Sequence, residues 1–217
     1  MKRLRLTRTT GALVTGLALL AIALVITLSG SPLVVTHTNA IPANEPILEA
    51  GSASNACQAG EALPAGTTAI RLTLVAATGP RVSLDVLSGG RVLASGVTAG
   101  GWTSGAVTVP VKALSHSVAP VRICFKLGPS AETVQLGGSR TSATTAARNL
   151  SGAPLPGRFT VEYMRRGDSS WWSLAKTAAR HMGLGRAPSG TWVALLVALL
   201  MGTVLATASW LIVKELR

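Results

Sequence analysis

Residues 69–98 read AIRLTLVAATGPRVSLDVLSGGRVLASGVT. Ile70, Leu72 and Leu74 alternate with Arg71 and Thr73, and Val82, Leu84 and Val86 alternate with Ser83 and Asp85. Alternation of period two marks strands with one buried face. Gly79-Pro80 between the two runs is a turn signal. Ser88-Gly89-Gly90 then reads as a tight hairpin, because two-residue connections favour residues that tolerate positive φ. A weaker strand follows over residues 91–94.

The same pattern continues on the C-terminal side. Val107, Val109 and Val111 alternate with Thr108 and Pro110, and Val121, Ile123 and Phe125 with Arg122, Cys124 and Lys126. Residues 133–136 form another weak strand, and Phe159, Val161 and Tyr163 alternate with Thr160 and Glu162. Turn signals separate them at Pro64-Ala65-Gly66, Gly100-Gly101 and Gly128-Pro129. About seven short strands at this spacing predict an antiparallel β-sandwich, jelly-roll or immunoglobulin-like, over residues 57–164. Pro110 places its strand at an edge or a bulge. Residues 137–157, GGSRTSATTAARNLSGAPLPG, read as a long loop. Within it Asn149-Leu150-Ser151 matches the glycosylation sequon, a three-residue pattern common by chance.

Outside this centre the composition changes. Of 217 residues 48% are apolar and only 13% charged, against about 25% charged in globular chains. That excludes a disordered chain and disfavours a soluble cytosolic enzyme. Lys and Arg number 20 against 8 acids, a net charge of +12. Residues 1–10 carry Lys2, Arg3, Arg5 and Arg8 and no acid, as a basic cytoplasmic tail. Residues 11–28 carry no charge. Extended to residue 35 through SGSPLVV, this run reaches the ~20 apolar residues of a transmembrane helix. A cleaved signal peptide ending at Thr38-Asn39-Ala40 is the alternative. A second charge-free run, residues 191–213, predicts a second transmembrane helix over 190–213, with Trp192 and Trp210 at headgroup level and residues 214–217 as a cytoplasmic tail. Ala194, Ala198, Gly202 and Ala206 recur every fourth residue, a small-residue stripe suited to helix pairing, with the first span, a second copy or another membrane protein as the occupant.

Before that run lies a basic amphipathic segment, residues 165–189. Asp168-Ser169-Ser170 is a helix-start signal. Trp171, Trp172, Ala175, Ala178, Ala179 and Met182 make one face, and Ser173, Lys176, Thr177 and Arg180 the other. Arg165, Arg166, Lys176, Arg180 and Arg186 outweigh Asp168, so the segment is expected to lie on anionic lipid headgroups. Its cations fall outside the cell in this topology, against the positive-inside preference. The N-terminal cations outweigh them, because the first span usually sets orientation. The expected location is the plasma membrane, with both termini cytoplasmic and the centre outside.

The two cysteines, Cys57 and Cys124, are an even count in a compartment where disulfides persist. Cys124 alternates with Val121, Ile123 and Phe125, so a disulfide there would clip the N-terminal lead-in, residues 36–56, onto the outside of a sheet. Chemistry-bearing motifs are scarce. His37, His116 and His181 lack metal spacing, and no nucleophile elbow, phosphate loop or dinucleotide fingerprint occurs. Glu61, Asp85, Glu132 and Glu162 are the only acids over residues 58–164, and none forms an evident glycosidase pair. No cofactor, metal or catalysis is expected. Nucleic-acid binding is disfavoured because the charge is scattered and no helix-turn-helix or aromatic sheet face accompanies it. Trp102, in a Gly-rich turn, is either a lid on the core or the platform of a ligand loop.

Three blocks, Cys57-Gln58 with Leu63-Pro64-Ala65-Gly66-Thr67-Thr68, Gly101-Trp102-Thr103-Ser104-Gly105, and Ser170-Trp171-Trp172-Ser173-Leu174, resemble an uncharacterised group of two-span envelope proteins of high-GC bacteria with an exported β-sandwich. The resemblance covers most of the chain and brings no activity with it. The two-span plan is also similar to polysaccharide chain-length regulators, but the long helical exported region and the Pro-rich second span of those proteins are missing. The expected function is a non-catalytic, membrane-anchored envelope protein whose sandwich is an interaction or scaffold module, accessory to cell-surface polysaccharide assembly. The alternative is a module recognising an envelope glycan or small ligand through the Trp102 loop.

Overall fold

The computed structural model describes residues 2–50, 54–141 and 144–174, together with 199, 202 and 203. It divides into a β unit, Leu33–Arg166, and a second unit made of residues 1–32 and 167–217.

Among the described residues eleven strands build the β unit: β1 (Leu33–Thr38), β2 (Glu45–Ala50), β3 (Asn55–Leu63), β4 (Ala69–Val75), β5 (Val82–Ser88), β6 (Arg91–Thr98), β7 (Gly105–Pro110), β8 (Val118–Leu127), β9 (Val134–Arg140), β10 (Gly157–Phe159) and β11 (Val161–Arg166). All pairings are antiparallel. One sheet runs β1-β11-β4-β9-β10, with β7 added on β4 and β2 on β9; the other runs β3-β8-β5-β6. The alternation that predicted strands also predicted their faces. Ile70, Leu72, Leu74, Val82, Leu84, Val86, Ile123 and Val161 are fully buried. At the centre the rings of Phe125 and Phe159, one from each sheet, meet edge to face with centroids 5.4 Å apart, the arrangement that ring quadrupoles favour. On the outer face Arg71 and Glu162 stand directly opposite in register and form an ion pair.

Local chemistry sets the connections. Gly89 and Gly90, at φ 54° and 81°, join β5 to β6 as the whole turn between the paired Ser88 and Arg91. Two positive φ values are what a twisted hairpin requires. β7 pairs only with β4 among the described strands, so Pro110 sits on an edge strand, where its missing N–H breaks no ladder. At one corner β6 and β7 approach closely across the sandwich. Thr98 Oγ1 donates to Thr108 O at 2.7 Å, and a Cβ on Gly96 would stand 1.9 Å from Pro110 O.

Three expectations are corrected. The first concerns the flanking transmembrane helices: no helix among the described residues is long and apolar enough to cross a membrane. The N-terminal helix α1 (Lys2–Ser29) ends before the sequence's apolar run does. Its first turns carry the four cations Lys2, Arg3, Arg5 and Arg8. The extension to residue 35 fails because Leu33, Val34 and Val35 belong to β1, paired with Arg166, Arg165 and Met164 of β11. Of the second run, Trp192, Ala194, Ala198, Ala206 and Trp210 lie outside the described residues; Gly202 is helical, with nothing within 4 Å of a Cβ position.

The second concerns residues 36–56, expected as an extended lead-in. They hold the end of β1 and all of β2, and β2 pairs with β9 over its length. The third concerns the long loop, which is shorter than expected because β9 runs on to Arg140 and β10 begins at Gly157. Arg165 and Arg166 end β11, ahead of a helical turn over residues 171–174 that carries the half-exposed Trp171 and Trp172. In that unit Gly167 N donates to Pro32 O (2.8 Å) and Trp171 N to Gly30 O (3.3 Å), so the chain leaving α1 runs beside the chain entering the turn. Lys176, Arg180 and the rest of the amphipathic segment lie outside the described residues.

Cys57 and Cys124 are disulfide-bonded, directly opposite each other on β3 and β8 with Cα atoms 4.0 Å apart. The bond staples two neighbours in one sheet on its outer face and does not bridge the sheets. It closes a 67-residue separation, for which loop-closure entropy gives roughly 4 kcal/mol of stabilisation. Replacing both residues (Cys57→Ala with Cys124→Ala) is expected to lower the unfolding free energy in urea by about 4 kcal/mol. A loss below about 1 kcal/mol would show that β3 is held by its ladder and core contacts alone.

Candidate functional site

The polar centre of the β unit begins with a phase change in β3. Ala56 and Gln58 point inward. The register with β8 then slips, Gln58 facing Ile123 but Glu61 facing Val121, so Ala59 and Gly60 together oppose Arg122. Gly60 takes φ 75°. Such a bulge shifts every later side chain to the other face. Glu61 and Leu63 therefore point into the sandwich instead of Gly60 and Ala62, and Glu61 is left 4% exposed.

A carboxylate that deep persists only with a cation and donors around it. Glu61 Oε1 accepts from Arg158 Nη2 of β10 (2.5 Å), Gln58 Nε2 (2.6 Å) and Asn39 Nδ2 (3.3 Å), and Oε2 accepts from Tyr163 OH of β11 (3.2 Å). The two side-chain amides also complete the backbone where the chain passes from β10, paired with β9, to β11, paired with β4. Phe159 N donates to Gln58 Oε1 (2.8 Å), and Phe159 O accepts from Gln58 Nε2 (3.1 Å) and Asn39 Nδ2 (2.9 Å). Val161 N donates to Asn39 Oδ1 (3.1 Å). Gln58 and Asn39 thus replace a missing strand partner. Next to Asn39, Ala40 is held at φ 58°, a conformation that costs an L-residue about 1–2 kcal/mol.

A cavity of about 330 Å³ opens beside this cluster, lined by His37, Thr38, Glu61, Arg158 and Tyr163 among others. The composition resembles an acid–base site, but the groups are already committed. Glu61 accepts from four donors. Burial, then the Glu61 charge and hydrogen bond, push the Tyr163 hydroxyl far above its ordinary range, with Arg158 opposing in part. Tyr163 therefore serves as a neutral donor, and Glu61 as a fixed acceptor.

Two further cavities meet at the outer side of the bulge. One, about 490 Å³, is lined by Cys57, Ala59, Gly60, Arg122, Arg148 and Arg158 with part of the 144–152 loop. The other, about 410 Å³, lies against Gly60, the Gly89-Gly90 turn, Pro120 and Arg122. The loop is organised. Cys57 and Arg148 exchange backbone hydrogen bonds at 2.6 and 2.8 Å, and Asn149 Oδ1 accepts from Ala153 N and from Ser151 Oγ.

Trp102 is partly buried against the core. Its Nε1–H donates to Pro80 O at 2.7 Å, and its ring covers Gly79 so closely that a Cβ there would lie 2.0 Å from the indole. Ser104 exchanges hydrogen bonds with both backbone groups of Ala76, which pins the turn. The ring is a lid over the core. His37 and His116 are exposed, and His181 lies outside the described residues. Nothing in the sequence marks Gln58, Asn39 or Arg158 as partners of Glu61; the Ala-Gly pair in the middle of a strand was the one available sign of a bulge. Comparison with known protein families, curated proteins and solved structures finds no match to this chain.

Two predictions follow from the cluster. Arg158→Met leaves the Glu61 carboxylate buried without its cation and is expected to cost about 3–5 kcal/mol in urea unfolding, more than Arg158→Met combined with Glu61→Gln. Tyr163 is the only tyrosine in the chain, so alkaline absorbance reads it alone. Its folded value is raised, so its contribution to stability is complete below about pH 10, where the unfolded residue ionises. That contribution is lost as pH climbs from there toward the folded value. Tyrosinate absorbance should appear near pH 10 in urea but not in the native chain, and Tyr163→Phe should flatten stability above pH 10.

Proposed function

We propose that the β-sandwich is a non-catalytic interaction module working outside the cytoplasm, as an accessory of cell-surface polysaccharide assembly. The observation that carries this reading is the Cys57–Cys124 bond. Disulfides of this kind persist in oxidising compartments and are rare where glutathione and thioredoxin keep thiols reduced. The bond sits on an outer sheet face, where it stabilises a small sandwich without disturbing its apolar interior.

The wiring of the acidic groups supports the non-catalytic part. A general base needs a free lone pair and an ionisation near the working pH. Glu61 has its oxygens occupied by four donors, and Tyr163 keeps its proton. Asp85 and Glu162 lie on outer strand faces, Glu162 tied to Arg71. What the outer surface offers is a rigid scaffold with pre-shaped hollows beside the bulge, which suits recognition.

The test is thiol accounting in intact producing cells. A membrane-impermeant maleimide should label neither cysteine before reduction, and both after reduction and unfolding of the cell-surface pool. Two cysteines recovered as free thiols, shielded from the reagent in intact cells and labelled only after lysis, would overturn the proposed location.

A further inference from the structure

We infer that the outer side of the β3 bulge is a binding cleft for an acidic oligosaccharide, held by the guanidinium groups of Arg122 and Arg148. The inference rests on the extracytoplasmic reading above and supplies its ligand class. The 490 Å³ cavity is lined by three arginines and no acid, and its volume falls within the ~300–1,000 Å³ of small-ligand sites. Of the three, only Arg158 is balanced, through Glu61. Neither Arg122 nor Arg148 takes part in an ion pair among the described residues. Arg148 donates once, to Gly152 O at 2.8 Å. The cleft therefore lines a concavity with two exposed cations that no ion pair among the described residues engages, and planar guanidinium forks match carboxylates.

The shape favours a chain of sugars over a lone anion. The 490 and 410 Å³ hollows share Ala59, Gly60 and Arg122 as walls, so one groove passes over the bulge. Ala59 and Gly60 present almost no side chain there, and the neighbouring loop ends in the exposed Leu150 (69%). Such a surface can take the CH face of a ring, while no aromatic residue lines the groove to hold a neutral sugar by stacking. A membrane surface, being flat, would meet the rim and not the hollow. The backbone that carries the arginines is also fixed. Arg122 is two residues from Cys124 on the same strand face, and the backbone of Arg148 is hydrogen-bonded to that of Cys57, so the disulfide fixes the two strands that carry and flank them. Preorganisation lowers the ordering cost of binding.

The experiment is calorimetric titration of the full-length chain at low salt with trigalacturonate, with maltotriose as the neutral counterpart and phosphatidylglycerol vesicles as the lipid counterpart. Trigalacturonate should bind, more weakly as salt rises, and maltotriose at least about tenfold more weakly. Arg122→Gln should cost about tenfold in affinity with an unchanged thermal midpoint, since its side chain is exposed. Arg122→Gln with Arg148→Gln should abolish binding. Equal affinity for maltotriose, unaltered affinity in both variants, or binding to the vesicles with none to trigalacturonate would each overturn the cleft. Failure to bind by a chain whose cysteines are oxidised and exported would remove the ligand class and leave the location standing. Binding by a chain whose cysteines prove reduced in the cell would do the reverse.

Discussion

The β unit depends on one buried carboxylate. An apolar interface between two sheets tolerates small slides, because dispersion and burial have little direction. Glu61 has direction. It stands on β3 in one sheet and is met by Arg158 and Tyr163 from β10 and β11 in the other, and by Asn39 from the connection after β1. Each donor must arrive within hydrogen-bond distance, or a charge is left in a medium where it costs several kcal/mol. That requirement fixes the relative register of the sheets. It also fixes Phe159, whose backbone is held by Gln58 and whose ring meets Phe125 at the centre.

The apolar half of this design was legible in the sequence, and the polar half was not. Leu72, Leu84 and Ile123 announce their faces by alternating with polar residues, and Gly89-Gly90 announces its turn by a backbone requirement. Cys124 could be placed on an outer face because its neighbours Ile123 and Phe125 had to be inside. β3 gives no such signal. NACQAGEAL places Gln58 and Glu61 inward and loses its period at the bulge, so polarity pointed the wrong way. Asn39 and Arg158 are separated by well over a hundred positions and come together only through the topology.

Hydropathy failed in another respect. Leu33, Val34 and Val35 continue the apolar run of α1, and a count of apolar residues cannot distinguish a helix from a sheet edge. Pro32 and the pair of β-branched valines were the local evidence for a change to strand. β2 is hidden by Pro46 and two glutamates, and it pairs with Gly137 and Gly138 of β9, where the close approach at Gly138 is to β10 on the other side. A Cβ on Gly138 would stand 2.1 Å from Arg158 O. Residues chosen for what they leave out carry no propensity for a reader to sum.

One irregularity produces both faces of the candidate site. The Ala59–Gly60 bulge turns Glu61 inward, which calls Arg158 to the junction of cavity and core. The same two small residues stand away from the ladder opposite Arg122, and the groove is the space they leave. A Cβ on Gly60 would meet nothing within 4 Å, so space does not select the glycine; its φ of 75° does. An L-residue held there costs about 1–2 kcal/mol, and relaxing that strain means moving toward regular strand geometry. Regular geometry would restore the phase of β3, point Gly60 inward and Glu61 outward, and close the groove. The buried ion pair and the outer cleft are therefore alternatives to the same straight strand, and a change that straightens β3 removes both.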